Sequence, residues 1–566
     1  MTIVRLILFL ISNMGFYKLL SKKTKIDMHF IPMLVIGIQI FILFISGILN
    51  MLFITSVLLY IGGISIFLYY LFKDKDFIKD FKNTNYLVFI LSIVILTICL
   101  LGCKFVNYDN FSHWALVVKS MLINNRYPNF MDSVILFKEY PLGVATYIYY
   151  FSKMIGNAEW IWMLGQNIII MAFSLPILKY VKKNKILVYI FYLFFINFIL
   201  SYNSLINDLA VDTVLPLVGL GITLFIYEEG MKDKNIIYLI PLLSLLFLIK
   251  NSGIFFIIID IVLLIYLMQK NGKLKDIKLW GIMSTPILTW LVWHQHCKYV
   301  FDGASSSKHA MTLSNYMNVF RNKSINDMIT IASKAIKWII TSKETYIFLG
   351  FIIILGILIY IASKKSMKRY IKITILLLGI YLFYVIGIIL MYIFSMPLNE
   401  AIVLASISRY YRTILIFIYG ILAIYSIKLI SQYEIKNIVM ISIILISLIN
   451  VINIVSLDKY GNVFNVSKNA IEREKIEEII NINKLEEDKK YIICISSSDS
   501  GYNYYLYKYL LFNDIGVIVV RNYDDTKYFD NYDYIINTDQ DNTIIKEWLE
   551  LNYSNQINNE IIKLGE

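Results

Sequence analysis

One carboxylate in a long polar loop has the setting of a general base. Asp109 follows an apolar run closely, in the stretch Asn107-Tyr-Asp-Asn-Phe-Ser-His-Trp114. A carboxylate between bulk water and a sheltered cavity can be held ionised, or have its pKa raised, and so accept a proton. The alternative role is a cap on the helix predicted for 112–122. Trp114, Val117, Val118 and Met121 would form one face of that helix, which we expect to lie in the membrane interface.

Further polar residues accompany this carboxylate. His113 and Trp114 adjoin it, and Glu139 and Tyr140 close the same loop. We expect these four to contact a substrate, together with an acidic pair placed four residues apart beside another apolar run, Asp208 and Asp212. Such a pair costs free energy unless water or a ligand reaches it. For Asp212, capping of the next helix is the alternative.

The cations come from two later turns. Lys250 precedes Asn-Ser-Gly, and Arg409, Tyr410 and Arg412 lie at the start of a late apolar run. Arginine is always charged and forms a bidentate fork that fits phosphate, so Arg409 with either Lys250 or Arg412 is a candidate clamp for an anionic group. The alternatives are a snorkelling lysine and ordinary anchoring to lipid phosphates.

Membrane helices must position these residues. Of the 566 residues, 58% are hydrophobic and 16% are charged. Soluble proteins average about 45–50% and about 25%, so a soluble, fibrous or disordered chain is excluded. At roughly 20 residues per span, we predict an all-α polytopic protein with about 12–14 transmembrane helices. The candidate spans are 3–20, 30–47, 51–72, 86–103, 158–178, 186–202, 213–227, 236–250, 253–269, 279–295, 345–362, 371–394, 411–430 and 437–456.

The lysines predict the orientation of these spans. The basic connections fall on every second connection: 22–25, 73–82, 179–185, 232–234, 270–278 and 364–372. Because basic loops stay in the cytoplasm, both termini and the long loops 104–157 and 296–344 are expected outside. The net charge of +13 is then a signature of topology, and no nucleic-acid partner is expected.

The tail differs in kind from the rest of the chain. It is charged, begins with a predicted helix over 471–485, and continues with strand-like runs at 491–495 and 516–520. We therefore predict three regions. They are extra N-terminal transmembrane helices (1–85), a membrane core (86–456) and a small extracytoplasmic α/β domain (457–566).

The ordered set of motifs resembles the C-type integral-membrane glycosyltransferases, nearest to the branch of bacterial lipid A and cell-surface glycan transferases. The resemblance covers roughly 86–430. It rests on Tyr108-Asp-Asn with Ser112-His-Trp, Tyr140-Pro141, Asn207-Asp208, Lys250-Asn-Ser-Gly and Arg409-Tyr410. Position 107 is Asn, whereas many members carry a second acidic residue in this loop, so a metal-bridging pair does not carry over.

The resemblance implies a transferase of the bacterial plasma membrane with an outward-facing site. A sugar would pass from a polyprenyl-phosphate carrier to a glycan, lipid or protein acceptor, with Asp109 as base and Arg409 on the donor phosphate. Nucleotide sugars are too charged to cross a bilayer unaided, which independently favours a lipid-linked donor. No metal site or cofactor is assigned, and a requirement for a divalent cation stays open. The alternatives are a polysaccharide polymerase or ligase, a flippase or transporter for lipid-linked oligosaccharides, and a structural scaffold.

Overall fold

The computed structural model describes residues 1–74, 84–232, 234–301, 313–432, 438–456, 470–486 and 488–564. Parts of several predicted features lie outside the described residues. These parts are 75–82 of a basic connection, 233 of another, 302–312 of the second long loop, 437 of the last span, and 457–469, 487 and 565–566 of the tail.

Helices dominate the chain up to residue 456. Their bounds are α1 Thr2–Lys23, α2 Ile31–Ile48, α3 Leu52–Lys73, α4 Thr84–Leu100, α5 Ala115–Asn124, α6 Gly143–Ile155, α7 Glu159–Ser174, α8 Lys185–Tyr202, α9 Val214–Glu229, α10 Leu239–Ile249, α11 Ile254–Lys270, α12 Ile277–Met283, α13 Thr285–Val300, α14 Leu313–Arg321, α15 Ile325–Thr341, α16 Lys343–Ala362, α17 Lys364–Phe394, α18 Leu398–Ile402, α19 Ile407–Gln432 and α20 Ile438–Ser456.

Within the described ranges, nine helical segments are long and apolar enough to cross a membrane. They are Thr2–Lys23, Met28–Ile48, Leu52–Lys73, Glu159–Tyr180, Lys185–Tyr202, Asn251–Lys270, Lys343–Ala362, Lys364–Phe394 and Ile407–Ser431. Three shorter apolar helices, Tyr86–Leu100, Ile236–Ile249 and Ile438–Ile452, also coincide with predicted spans. The predicted span 279–295 falls on two helices, α12 and α13. The chain is thus a polytopic, mainly helical membrane protein.

The helices differ strongly in burial. Every residue in the apolar window of Glu159–Tyr180, which includes α7, is buried, whereas only 17% of the window in α3 is. Helix α7 packs against α4, α6 and α9, so it lies at the centre of the bundle. A mainly apolar helix is suited to such a position, and its polar residues Gln166 and Asn167 donate to the backbone carbonyl oxygens of Asp208 and Ile206.

The first three helices are packed into this bundle. Helix α2 contacts α6, α7 and α10, and Gln39 on α2 donates to Asn13 on α1 at 3.0 Å. Helices α1 and α3 approach most closely at two glycines, where a Cβ on Gly15 would lie 2.1 Å from the carbonyl oxygen of Gly63. Small residues allow this close approach between helices in a membrane.

Several basic connections meet at one end of the bundle. Lys18 and Lys22 both pair with Asp74, at 2.7 and 3.0 Å. Lys179 pairs with Glu228 at 2.8 Å, and the backbone N–H of Lys183 donates to Ser431 at 2.9 Å. These contacts join connections that the alternating lysine pattern places on one side of the membrane.

The tail folds as a small α/β unit. Helix α21 (Ile471–Ile482) precedes strand β1 (Tyr491–Cys494), α22 (Tyr502–Leu511), β2 (Gly516–Ile518), β3 (Tyr534–Asn537), α23 (Thr543–Asn552) and β4 (Ile561–Lys563). The sheet order is β2-β1-β3-β4, with β1 parallel to both neighbours and β4 antiparallel to β3. The predicted helix and both strand-like runs coincide with α21, β1 and β2.

Candidate active site

A π-helical turn presents the segment that carries Asp109. This turn, Asn110–Trp114, leads directly into α5, so the predicted helix is present but begins differently. Val117, Val118 and Met121 are all buried, and α5 packs against α6. The helix is therefore enclosed by protein, which differs from the expected interfacial position. Single π turns occur frequently at functional sites.

Asp109 and Arg409 are in direct contact across 300 residues of sequence. Nη1 of Arg409 donates to Oδ2 of Asp109. Their side chains are 33% and 29% exposed, so a solute can reach both groups. Beneath them lies Asp212, only 3% exposed, whose Oδ2 is 3.3 Å from Nε of Arg409. One arginine thus joins an accessible carboxylate to a buried one.

Asp212 also binds the second cation. Nζ of Lys250 donates to Oδ1 of Asp212 at 2.8 Å. Burial alone would raise the pKa of Asp212, but Lys250 and Arg409 outweigh it and hold that pKa below its usual value. The ring of Tyr410 lies 5.2 Å from Nζ of Lys250 and 5.7 Å from Cζ of Arg409. These are distances at which an aromatic face attracts a cation.

Backbone geometry fixes both cations. Lys250 ends α10 with an extended backbone, and a Cβ on Gly253 would lie 2.0 Å from the Leu246 carbonyl oxygen, so only glycine permits this turn. Two non-glycine residues before α19, Leu404 and Ser406, have left-handed φ angles of 52° and 61°. Such backbone strain tends to gather at functional sites.

Asp208 is close to Asp109 but has a different environment. The side-chain amide of Asn107 donates to its Oδ2 at 2.6 Å, and the N–H of Ala210 donates to Oδ1 at 2.9 Å. Burial, reinforced by repulsion from Asp109, raises the pKa of Asp208 to about 6. Asn107 thus holds this carboxylate by a neutral hydrogen bond.

His113 is enclosed by aromatic rings. Its ring centroid lies 4.7 Å from that of Trp114 and 4.8 Å from that of Tyr140. Burial, followed by the nearby charge of Lys250, lowers the pKa of His113 to about 3. The imidazole is therefore neutral at physiological pH and a poor base. It helps to form the aromatic wall of the site.

Two predicted residues are not brought to this cluster. Arg412 donates from Nε to Oε1 of Glu344 at 2.7 Å and lies over the ring of Tyr202. The carbonyl oxygen of Glu139 accepts from the indole of Trp293 at 3.0 Å, and burial raises the pKa of the Glu139 carboxyl. Of the two possible partners for Arg409, the geometry therefore favours Lys250.

Sequence reasoning missed four residues. Asn107 positions Asp208, Glu344 pairs with Arg412, and Tyr505 packs against Tyr108 beside Asp109. Asp260 is fully buried in the middle of α11. The only one with a clear signal was Asp260, as the single acid in an otherwise apolar run.

The described ranges contain no group of three or more His, Cys, Asp or Glu side chains that could hold a metal ion. What the site offers is two adjacent cations beside an accessible carboxylate, an arrangement that can bind a phosphate next to a base.

No family model matches the chain, and neither a curated protein nor a solved structure matches it. The function is therefore inferred from the geometry of Asp109, Arg409, Asp212 and Lys250 and from the ordered motifs.

Proposed function

We propose that the protein is a membrane glycosyltransferase that moves a sugar from a polyprenyl-phosphate carrier to an acceptor of the cell envelope. The observation that carries the proposal is the contact between Asp109 and Arg409, with Lys250 and Asp212 adjoining it. The four residues come from four separate parts of the sequence. Their meeting supplies a base and a phosphate clamp in one place.

The proposed reaction transfers a glycosyl group from a phosphate oxygen to an acceptor hydroxyl. Asp109 takes the proton of an acceptor hydroxyl, and the hydroxyl oxygen forms a bond to the anomeric carbon of the sugar. The bond from that carbon to the phosphate oxygen breaks, so the carrier leaves as a polyprenyl phosphate with one additional negative charge. Arg409 and Lys250 stabilise that charge. Electrostatic stabilisation of the charge that develops in the transition state is usually the largest single contribution to catalysis.

The Asp109–Arg409 contact also implies an order of events. A guanidinium that already donates to a carboxylate must exchange that charge-assisted hydrogen bond before it can bind another anion. A donor phosphate binding to Arg409 would compete with Asp109 and release it toward the acceptor. The donor is therefore expected to bind first.

The location of the site favours a lipid-linked donor. The site lies at the ends of membrane helices, and contacts such as Lys179 with Glu228 occur at the opposite end of the same helices. By the positive-inside rule, the site would then face outward. We place the protein in the bacterial plasma membrane, with the C-terminal domain on the outer face. Its substrates would be a polyprenyl-phosphate sugar and an envelope glycan, lipid or protein.

A transfer assay tests the proposal. The purified full chain in lipid nanodiscs is incubated with radiolabelled polyprenyl-phosphate sugars and envelope acceptors. We expect label in the acceptor fraction and release of polyprenyl phosphate. Asp109→Asn should lose transfer, whereas Asp524→Asn, which removes the same charge at an exposed pair far along the chain, should retain it. Near-normal transfer by Asp109→Asn would remove the assigned base, and no transfer from any donor would reject the enzyme.

One observation favours a lipid-linked oligosaccharide flippase as the second candidate. Asp260, inside a membrane span, accepts from the hydroxyl of Thr223 at 2.7 Å, while its Oδ2 has no hydrogen-bond partner within the described residues. Ionisable residues inside membranes often mark transport pathways. Proteoliposomes that move a fluorescent lipid-linked oligosaccharide between leaflets, and lose that activity with Asp260→Asn, would favour this candidate.

A further inference from the structure

The C-terminal domain is fixed beside the site by a buried ion pair. Arg473 on α21 donates to both carboxylate oxygens of Glu159, at 2.7 and 2.8 Å, and to the carbonyl oxygen of Phe105 at 2.9 Å. The side chain of Arg473 is 6% exposed. Arg473 also pairs with Glu477 at 2.8 Å, and Glu159 also accepts from the hydroxyl of Tyr509 at 2.7 Å, so the ion pair belongs to a buried network. These contacts therefore hold the domain against the membrane helices beside the site, so the domain is not free to open and close over it.

Helix α22 is the part of this domain that contacts the segment around Asp109. The hydroxyl of Tyr502 donates to the carbonyl oxygen of Val106 at 3.2 Å, and the ring of Phe111 lies 5.4 Å from that of Tyr509. Lys119 on α5 donates to the carbonyl oxygen of Tyr509 at 2.6 Å. These contacts hold α22 across the segment that contains Asp109.

Two partly exposed tyrosines meet at this junction. The rings of Tyr108 and Tyr505 are 4.9 Å apart and edge to face, whereas Tyr509 on the same helix is buried. Tyr108 precedes Asp109 directly. A pair of tyrosines presents apolar faces with hydroxyl groups at the edge, and rigid aromatic rings of this kind commonly anchor ligands.

We infer that Tyr108 and Tyr505 form the acceptor subsite, and that the acceptor is a saccharide. A sugar ring has an apolar face of C–H groups and a rim of hydroxyl groups, so it matches a tyrosine pair in both respects. A ring seated there would place a hydroxyl near Asp109. The subsite lies at the junction between the C-terminal domain and the segment that carries Asp109. This inference rests on the proposed function.

Direct binding tests the subsite without turnover. The probes are a panel of defined oligosaccharides, with a serine-containing peptide and a diacylglycerol as comparisons, added to the full chain in nanodiscs. We expect at least one oligosaccharide to bind. Tyr505→Ala should weaken that binding about tenfold, whereas Tyr505→Phe, which keeps the ring, should stay within about threefold. Tyr528→Ala, an exposed tyrosine of the same domain, is the matched control and should bind as the unmodified chain does.

The remaining outcomes separate the subsite from the proposed function. Tyr108→Ala removes the other ring of the pair and should weaken oligosaccharide binding to the same extent. This second variant tests the subsite even if Tyr505→Ala misfolds. Equal binding by the unmodified chain and both alanine variants, preference for the peptide or lipid, or no oligosaccharide binding would overturn the subsite. Oligosaccharide binding that depends on Tyr505, in a chain that transfers no sugar, would reject only the transferase.

Discussion

Two arginines three residues apart on α19 make ion pairs of different kinds. Arg409 reaches Asp109, which is one-third exposed, whereas Arg412 reaches Glu344, whose side chain is 7% exposed. The exposed pair can exchange its partner for a ligand at small cost, because solvent replaces what is lost. The buried pair cannot, since separating it leaves a charge without compensation. Accessibility of the partner, more than the arginine itself, distinguishes a binding group from a structural one.

The largest expected effect separates the two arginines by activity. Arg409→Gln should lower kcat for sugar transfer by about 10²–10³-fold, the usual cost of removing one preorganised charge-stabilising donor. Arg412→Gln should leave the kcat of the folded protein within about threefold, since its guanidinium pairs with Glu344. Steady-state kinetics on protein purified by size exclusion measures both. An equal loss of kcat in the two variants would contradict the distinction between the two ion pairs.

The second prediction reverses the comparison for stability. Glu344→Gln should lower the free energy of unfolding by roughly 3 kcal/mol, because Arg412 would remain in place without its carboxylate. Asp109→Asn should cost at most about 1 kcal/mol, as its pair is accessible. Thermal unfolding in detergent, with ligand absent, ranks the variants. An Asp109→Asn variant that is less stable than Glu344→Gln would contradict the distinction between an accessible and a buried ion pair.

The third prediction concerns the carboxylate that neither arginine pairs with directly. The pKa of Asp208 is raised to about 6 from an ordinary 3.8, so the folded state retains this proton at pH values where the unfolded state has lost it. Stability should therefore be highest below about pH 4 with respect to this group, and should fall by about 3 kcal/mol as the pH rises through 6. Asp208→Asn should flatten this part of the profile. Melting temperatures of both proteins from pH 4 to 7 test this prediction. An identical pH dependence in the two proteins would refute the raised pKa of Asp208.

The smallest expected effect concerns donor affinity. If Asp109 competes with phosphate for Arg409, Asp109→Asn should bind farnesyl phosphate about tenfold more tightly than the unmodified chain does. Glu344→Gln should bind it with unchanged affinity, because Arg412 belongs to the other pair. Calorimetry of the nanodisc samples reports both. Weaker binding by Asp109→Asn would mean that the carboxylate helps to hold the donor.

Nine long spans within the described ranges and two of the four strands of the tail were predictable, because hydrophobic periodicity is local. Helix α5 was expected too, but the covering of its apolar face by protein was not, since burial of Val117 depends on the packing of neighbouring helices such as α6. The sequence likewise could not decide whether Lys250 or Arg412 lies beside Arg409. Each follows an apolar run, and only the fold places Lys250 on Asp212 and Arg412 on Glu344.

Composition and the spacing of apolar runs by themselves determined a polytopic membrane protein, with its chemically capable side chains gathered in the polar turns. That follows because long apolar helices satisfy their backbone hydrogen bonds within a bilayer, and because most charged side chains are too costly to bury there. The family resemblance placed Asp109 and Arg409 in one site, but the tertiary structure alone decided that they contact each other directly and that Tyr505 from the tail lies beside Tyr108. Contacts between residues hundreds of positions apart depend on how helices pack, and no local pattern encodes that packing.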